Sequence, residues 1–198
     1  MCNLYKMRRT REEIAHLFRV RAGLPGNHGE TVWPGTPGLV AADGELRTMT
    51  WGFPLSLTGK SGQKLKPRPV NNARTDKLAG PFWRASMAAR RCLIPVTAYA
   101  EAEGPPGGKT RTWIAMPDGQ PFACAGLWRE SEEWGACYAM VITEACVAVQ
   151  HVHHRMPAIL PERDWEAWLG GTADEAAALC VPWVGELAVE RTGERWGG

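Results

Sequence analysis

From residue 92 to residue 143 the chain lays down four strand-like runs in succession (92–100, 111–116, 121–128 and 136–143), with turns and no helix between them. Parallel neighbours need a crossover connection, usually a helix. Strands and helices never alternate that way here, so the sequence predicts an α+β fold with a mainly antiparallel sheet. Upstream, Gly38–Ala42 and Leu46–Trp51 flank Asp43-Gly44, which predicts a hairpin. Helices are expected at the margins. Residues 10–22 open on a capping box, Thr10 with Glu13, and continue with Ile14, Leu17 and Phe18 at helical spacing. Residues 81–91 suggest a short helix. Another starts at Pro161 with Trp165, Trp168 and Leu169 as its stripe, and a last one runs from Thr172, with Glu175 three residues on, to Leu179. Residues 23–38 and the basic stretch 54–69, which holds Lys60, Lys64, Lys66 and Arg68, read as loops.

A chain of 198 residues with 44% hydrophobic residues fits one domain with a full core. No apolar run reaches the roughly 18 residues of a membrane span. Arg8, Arg9 and Arg11 are not followed by an apolar segment, so no secretory signal is expected. The six cysteines are scattered and none forms CxxC. That spacing predicts reduced thiols in a cytoplasmic protein and no zinc knuckle. Charge is uneven along the chain. Residues 1–91 hold 16 Lys+Arg against 6 Asp+Glu, and residues 92–198 hold 7 against 15. A basic half suits an anionic partner, nucleic acid being the commonest. Pairing between the two halves would explain the same pattern.

Chemistry-competent residues fall in four places. Cys2 follows Met1 directly, so trimming of Met1 would put an amine and a thiol on one residue. A 1,2-aminothiol condenses with an aldehyde to an imine, and the thiol then closes a thiazolidine ring. Amine and thiol titrate near ~8 and ~8.5, so modest tuning makes both reactive at neutral pH. Val70–Asp76 holds Asn72 and Arg74 on an extended or turn segment, equally readable as an ordinary polar turn. Arg91–Glu101 is an apolar run ending in one carboxylate, Glu101, a candidate for a pKa raised by desolvation or a plain strand-end residue. His151–Pro157 holds three histidines and Arg155. No carboxylate or cysteine cluster completes a metal ligand set there, so a proton-donating histidine and a phosphate-binding arginine, or a structural histidine, are the readings left.

Taken together these segments resemble the SRAP family, the SOS-response-associated peptidases understood as abasic-site processing proteins. The matching motifs are Met1-Cys2, Trp51-Gly52, Asn72-Ala73-Arg74, Arg91–Pro95 with Glu101, Phe122–Trp128 and His153–Leu160, in the family's order from residue 1 to about residue 169. Asn3, Leu4, Leu55–Leu57, Ala102 and His154 depart from the family pattern.

The resemblance implies one domain over 1–198, with 170–198 packed on it as an extension, and a strongly bent, mainly antiparallel sheet closing into a barrel-like core with peripheral helices. It implies Cys2 as the nucleophile, Asn72 as a positioning group, Glu101 and His153 as acid/base groups, and Arg74 and Arg155 as phosphate grips. Pro34 would line the DNA path and Thr143 the strand beside the pocket. The implied partner is single-stranded DNA containing abasic sites, met by a cytoplasmic monomer with no metal, organic cofactor or membrane. The implied activity is a lyase-like DNA–protein cross-link through Cys2. A thiol autoprotease or peptidase and a non-covalent single-strand binding module are the rival classes. His153, close to Glu101, is expected to hold its proton more readily than usual.

Overall fold

The computed structural model describes residues 2–197. Along the chain run β1 (Tyr5–Lys6), α1 (Arg11–Leu17), β2 (Thr31–Val32), β3 (Pro37–Ala42), β4 (Glu45–Trp51), β5 (Phe53–Thr58), β6 (Lys64–Val70), β7 (Asn72–Arg74), α2 (Arg84–Ala89), β8 (Arg91–Val96) and β9 (Ala98–Glu103). They are followed by β10 (Thr110–Ala115), β11 (Phe122–Ser131), β12 (Gly135–Glu144), β13 (Arg155–Pro157), β14 (Ile159–Leu160), α3 (Trp165–Gly170), α4 (Ala173–Ala178) and β15 (Ala188–Arg195).

Five of these strands close on themselves. β12 pairs with β4, β4 with β3, β3 with β8, β8 with β11, and β11 returns to β12. The β12–β4 step is parallel and the other four are antiparallel. The expected bent sheet with a barrel-like core is therefore present. Period-two alternation sorts the side chains. Val40, Trp51, Ile94, Cys124, Tyr138 and Met140 meet in the barrel interior. Their chain neighbours Leu39, Ala41, Leu93, Ala125, Ala139 and Val141 face outward onto Ile14 and Phe18 of the α1 segment, Met87 of α2 and Trp168 of α3. A second, antiparallel sheet runs β15-β10-β9-β1-β2 and packs on the barrel through Tyr5, Tyr99 and Ile114.

Both capping boxes form, Thr10 with Glu13 and Thr172 with Glu175. The Asp43-Gly44 turn has both residues at positive φ, 52° and 75°, as a tight two-residue hairpin requires. Four expectations need correction. The helix expected over 10–22 stops at Leu17, and Arg19 turns out of it at φ 53°. The run 92–100 is two strands in two sheets: the chain corners at Thr97, whose N–H and hydroxyl both donate to the Lys6 carbonyl. Residues 54–69 are not a loop but most of the β5–β6 hairpin, and residues 23–38 include the short β2. The tail contributes β15, paired along β10. Its Thr192, Arg191 and Glu190 gave no hydrophobic alternation by which to recognise a strand.

Arg91 shows how the helices are fastened. It is buried, and its guanidinium donates to the carbonyls of Met87, Trp168 and Gly171, and to those of Ala88 and Leu169 at 3.3 Å each. These are the unsatisfied C-terminal carbonyls of α2 and α3, where a cation is also favoured by the helix dipole.

Candidate active site

Cys2 leads into β1 and is sunk in the barrel cluster, 1% exposed. Its carbonyl accepts the side-chain amides of Asn72 at 2.8 Å and Asn71 at 3.1 Å. Both amides also reach Oδ1 of Asn3, at 3.4 Å and 3.0 Å respectively. Asn72 stands opposite Met140 in the β7–β12 ladder. Paired residues share a face, so it points with Met140 toward the barrel interior. Asn71 escaped the sequence reading, and the doubled Asn-Asn was its signal.

The Trp51-Gly52 motif explains why this segment is fixed. The Trp51 indole N–H donates to the Asn71 carbonyl at 3.0 Å. Gly52 sits at φ 124°, and an added Cβ there would lie 2.5 Å from Cβ of Pro69. Only glycine lets the β5–β6 hairpin approach so closely.

Glu101 lies on β9, two residues beyond Tyr99 and on the same face. It is 4% exposed, and burial pushes its carboxyl above the ordinary range, as its strand-end position suggested. Burial also lifts the Cys2 thiol far above its usual range, and the charge of Glu101 adds to that rise, so the two groups are electrostatic neighbours. Among the described residues, two buried polar atoms here have no hydrogen-bond partner: Oδ1 of Asn72 and the Tyr99 hydroxyl.

His153 closes the turn that follows β12. Its Nδ1 lies 3.0 Å from the backbone nitrogen of Arg155 and 3.1 Å from the Arg155 carbonyl oxygen, and the ring tautomer sets which of the two it bonds. The ring is half-buried and stacks on exposed His154 at 4.3 Å. Its pKa is lowered, chiefly by burial, which corrects the expectation of a readily protonated imidazole. His154 feels the charges of both His153 and Glu101.

Arg74 and Arg155 converge on one carboxylate. Arg74 grips Asp76 with Nε and Nη2 at 2.9 and 2.7 Å, and Arg155 Nη1 lies 3.8 Å from the same group. Arg74 holds the Asp76 carboxyl below its ordinary range. Thr143 is buried on β12 opposite Met156. Pro34 occupies the Trp33–Thr36 turn, where Gly35 takes φ 84° and donates its N–H to the Trp51 carbonyl at 2.7 Å. Among the described residues no group of three or more His, Cys, Asp or Glu is placed to hold a metal ion. Among the described residues no helix is long and apolar enough to cross a membrane.

Fold and site together define a closed-barrel protein in which Cys2 is buried, its carbonyl held by the amides of Asn71 and Asn72, with the Glu101 carboxyl as its electrostatic neighbour. The family model described as SOS response associated peptidase (SRAP) matches residues 1–193, and the chain belongs to that family. It is 25% identical over 187 residues to the abasic site processing protein YobE of Bacillus subtilis (strain 168), covering 85% of this chain and 82% of that one. It is 26% identical over 184 residues to the abasic site processing protein YoqW of the same strain, covering 85% and 80%. Among solved structures, a Bordetella bronchiseptica protein superposes with a TM-score of 0.80 at 22% identity, over 96% of this chain and 99% of that one. A Bacteroides thetaiotaomicron protein does so with a TM-score of 0.79 at 19% identity, over 96% and 91%.

Proposed function

We propose that this protein captures abasic sites in single-stranded DNA by forming a thiazolidine through Cys2 once Met1 is removed. The Bacillus relatives carry the name abasic site processing protein, and that gives the substrate class. The observation that carries the reading is the double amide grip of Asn71 and Asn72 on the Cys2 carbonyl. It anchors the backbone of the one residue whose amine and thiol would both react.

In the proposed reaction the Cys2 amine attacks the ring-opened aldehyde carbon to give a carbinolamine. Glu101, kept protonated at higher pH than usual, supplies the proton with which water leaves. The thiol then adds across the imine: sulfur bonds to the carbon, and the thiol proton ends on nitrogen. One water is released overall, and no electrons are exchanged. His153 serves sugar ring opening. Arg74 and Arg155 grip the flanking phosphates, Pro34 lines the DNA path and Thr143 backs the pocket.

The autoprotease reading fits less well. Its reacting carbonyl would be that of Met1, whereas the two amides are aimed at the carbonyl of Cys2, where they polarise nothing that breaks.

The test is incubation of the Met1-processed protein with a glycosylase-treated, uracil-containing oligonucleotide, followed by a denaturing gel. A heat-resistant adduct is expected with abasic single-stranded DNA and none with intact DNA. Cys2→Ala should abolish it. A Cys2→Ala protein that cross-links as well as the wild type would overturn the mechanism, and peptide turnover without an adduct would favour the peptidase.

A further inference from the structure

The β5–β6 hairpin has no role in the chemistry above, yet it grows directly out of the site. β5 starts at Phe53, after the Trp51-Gly52 pair, and β6 ends at Val70, immediately before Asn71 and Asn72. Its base is anchored: Phe53 and Val70 pack on the outer core, and the Arg129 guanidinium lies 4.2 Å from the centre of the Phe53 ring. Beyond that base most residues of both strands are exposed.

Charge on this arm is all of one sign. From Leu46 to Thr75 the sequence contains no Asp or Glu, and the hairpin carries Lys60, Lys64, Lys66 and Arg68. Among the described residues, none of these four is in an ion pair. An acidic side chain does touch the arm: Glu133 accepts the Ser56 hydroxyl at 3.1 Å, and it also accepts from Ser131.

Register divides the hairpin into two faces. Phe53 with Val70, Leu55 with Arg68, and Leu57 with Leu65 share one face, and Pro54 with Pro69 and Thr58 with Lys64 share the other. A bulge sets Lys66 and Pro67 together opposite Ser56, on the Pro54–Pro69 face. Lys64 and Lys66 therefore leave the arm on one side, with Lys60 at the tip turn between Gly59 and Gln63.

We propose that this lysine face is a second nucleic-acid contact, which holds the phosphate backbone of the single strand running away from the lesion on one side. The inference rests on the function proposed above and adds where the flanking strand goes. An unpaired cationic row with no acid in its own segment matches a polyanion and little else. At about 3.3 Å per residue, the eight steps from Lys64 to Asn72 reach about 26 Å, several nucleotides of extended strand. The lysines are flexible point charges, suited to phosphate contact without base readout.

Lys60→Ala/Lys64→Ala/Lys66→Ala tests this, since none of the three touches the site. The probe is a fluorescent single strand with a tetrahydrofuran abasic analogue, read by anisotropy across a salt series. With flanks of about ten nucleotides, the triple variant should lose about two units of log K against log salt, near 0.7 for each lost contact. With flanks of about two nucleotides, too short to reach the arm, variant and wild type should bind alike. Adduct yield on true abasic DNA at saturating concentration should be unchanged. Equal salt slopes for the two proteins on the long strand would overturn the arm and leave the Cys2 chemistry standing. Loss of the adduct from wild-type protein would instead overturn the function on which the arm depends.

Discussion

Glu101 is where burial and chemistry meet most directly. Desolvation holds its carboxyl above the ordinary value of 4.5, so the folded chain binds that proton more tightly than the unfolded chain does. The attached stability is full below 4.5 and is lost as pH rises through the folded value. In Glu101→Gln that loss should vanish. Melting temperatures of variant and wild type should converge at the acid end and separate toward neutral pH, with the variant higher. A wild type that gains on the variant as pH rises would mean the carboxylate charge is net favourable. The same substitution should slow adduct formation, because a primary amide does not donate the proton that expels water. Single residues of the candidate site were legible in the sequence as types: a cysteine at position two, an amide, a strand-end carboxylate, a histidine one residue ahead of Arg-Met-Pro. Their neighbourhood was not, because Cys2, Asn72 and Glu101 come together only through ladder pairings between distant strands. Leu4 shows the other side of this. It departs from the family pattern, and here it is fully buried with Ala100 and Trp113.

Among the elements, boundaries followed local chemistry and failed where tertiary contacts decide. The capping boxes placed two helix starts, and Asp43-Gly44 placed a hairpin. The β5–β6 arm was misread because its lysines, prolines and glycines are turn-formers, and its strands carry little apolar alternation. The corner at Thr97 was invisible because Arg91–Glu101 is apolar on both sides of the break. Arg91 itself sits in a family motif yet acts as a fastener. Arg91→Met keeps most of the volume and strands the terminal carbonyls of α2 and α3 in the interior. The expected cost is about 2–4 kcal/mol. At about 2–4 °C per kcal/mol for a chain of this size, the melting temperature should drop by about 10 °C. Arg91→Lys should recover part of it, since an ammonium has three donors for carbonyls that the guanidinium meets with five. Equal melting curves for Arg91→Met and wild type would show that water replaces the guanidinium freely.

At the scale of the whole molecule, the two sheets divide the work. The closed barrel supplies Trp51 and the wall around Cys2, β7 on the flank of β12 supplies Asn72, and the open sheet brings Glu101. The open sheet depends on the tail: β15 covers the edge of β10, and Trp196 meets Trp33 edge-on at 5.9 Å. A chain ending before Ala188 exposes the β10 edge, an invitation to intermolecular pairing. Such a chain should scatter light on concentration, show fast hydrogen exchange in β10, and form adduct more slowly as β9 loosens. A truncated protein that stays monodisperse with wild-type exchange would show that β15 is only an ornament of the sheet. The charge asymmetry resolves in part. Arg8–Glu30, Arg21–Glu45 and Arg74–Asp76 pair within the basic half, and Arg19–Glu162, Arg47–Glu130 and Arg155–Asp76 pair across the halves.

The segment holding Cys2 is secured through β1, which pairs with β9, and through amides that precede and begin β7. The Cys2 segment therefore has no pocket until β7 and β9, distant from it along the chain, have taken their places in the two sheets. Anything that loosens either strand undoes the seat of the cysteine without touching the cysteine itself. The two sheets thereby act as a safety catch, holding Cys2 in place only while both are assembled.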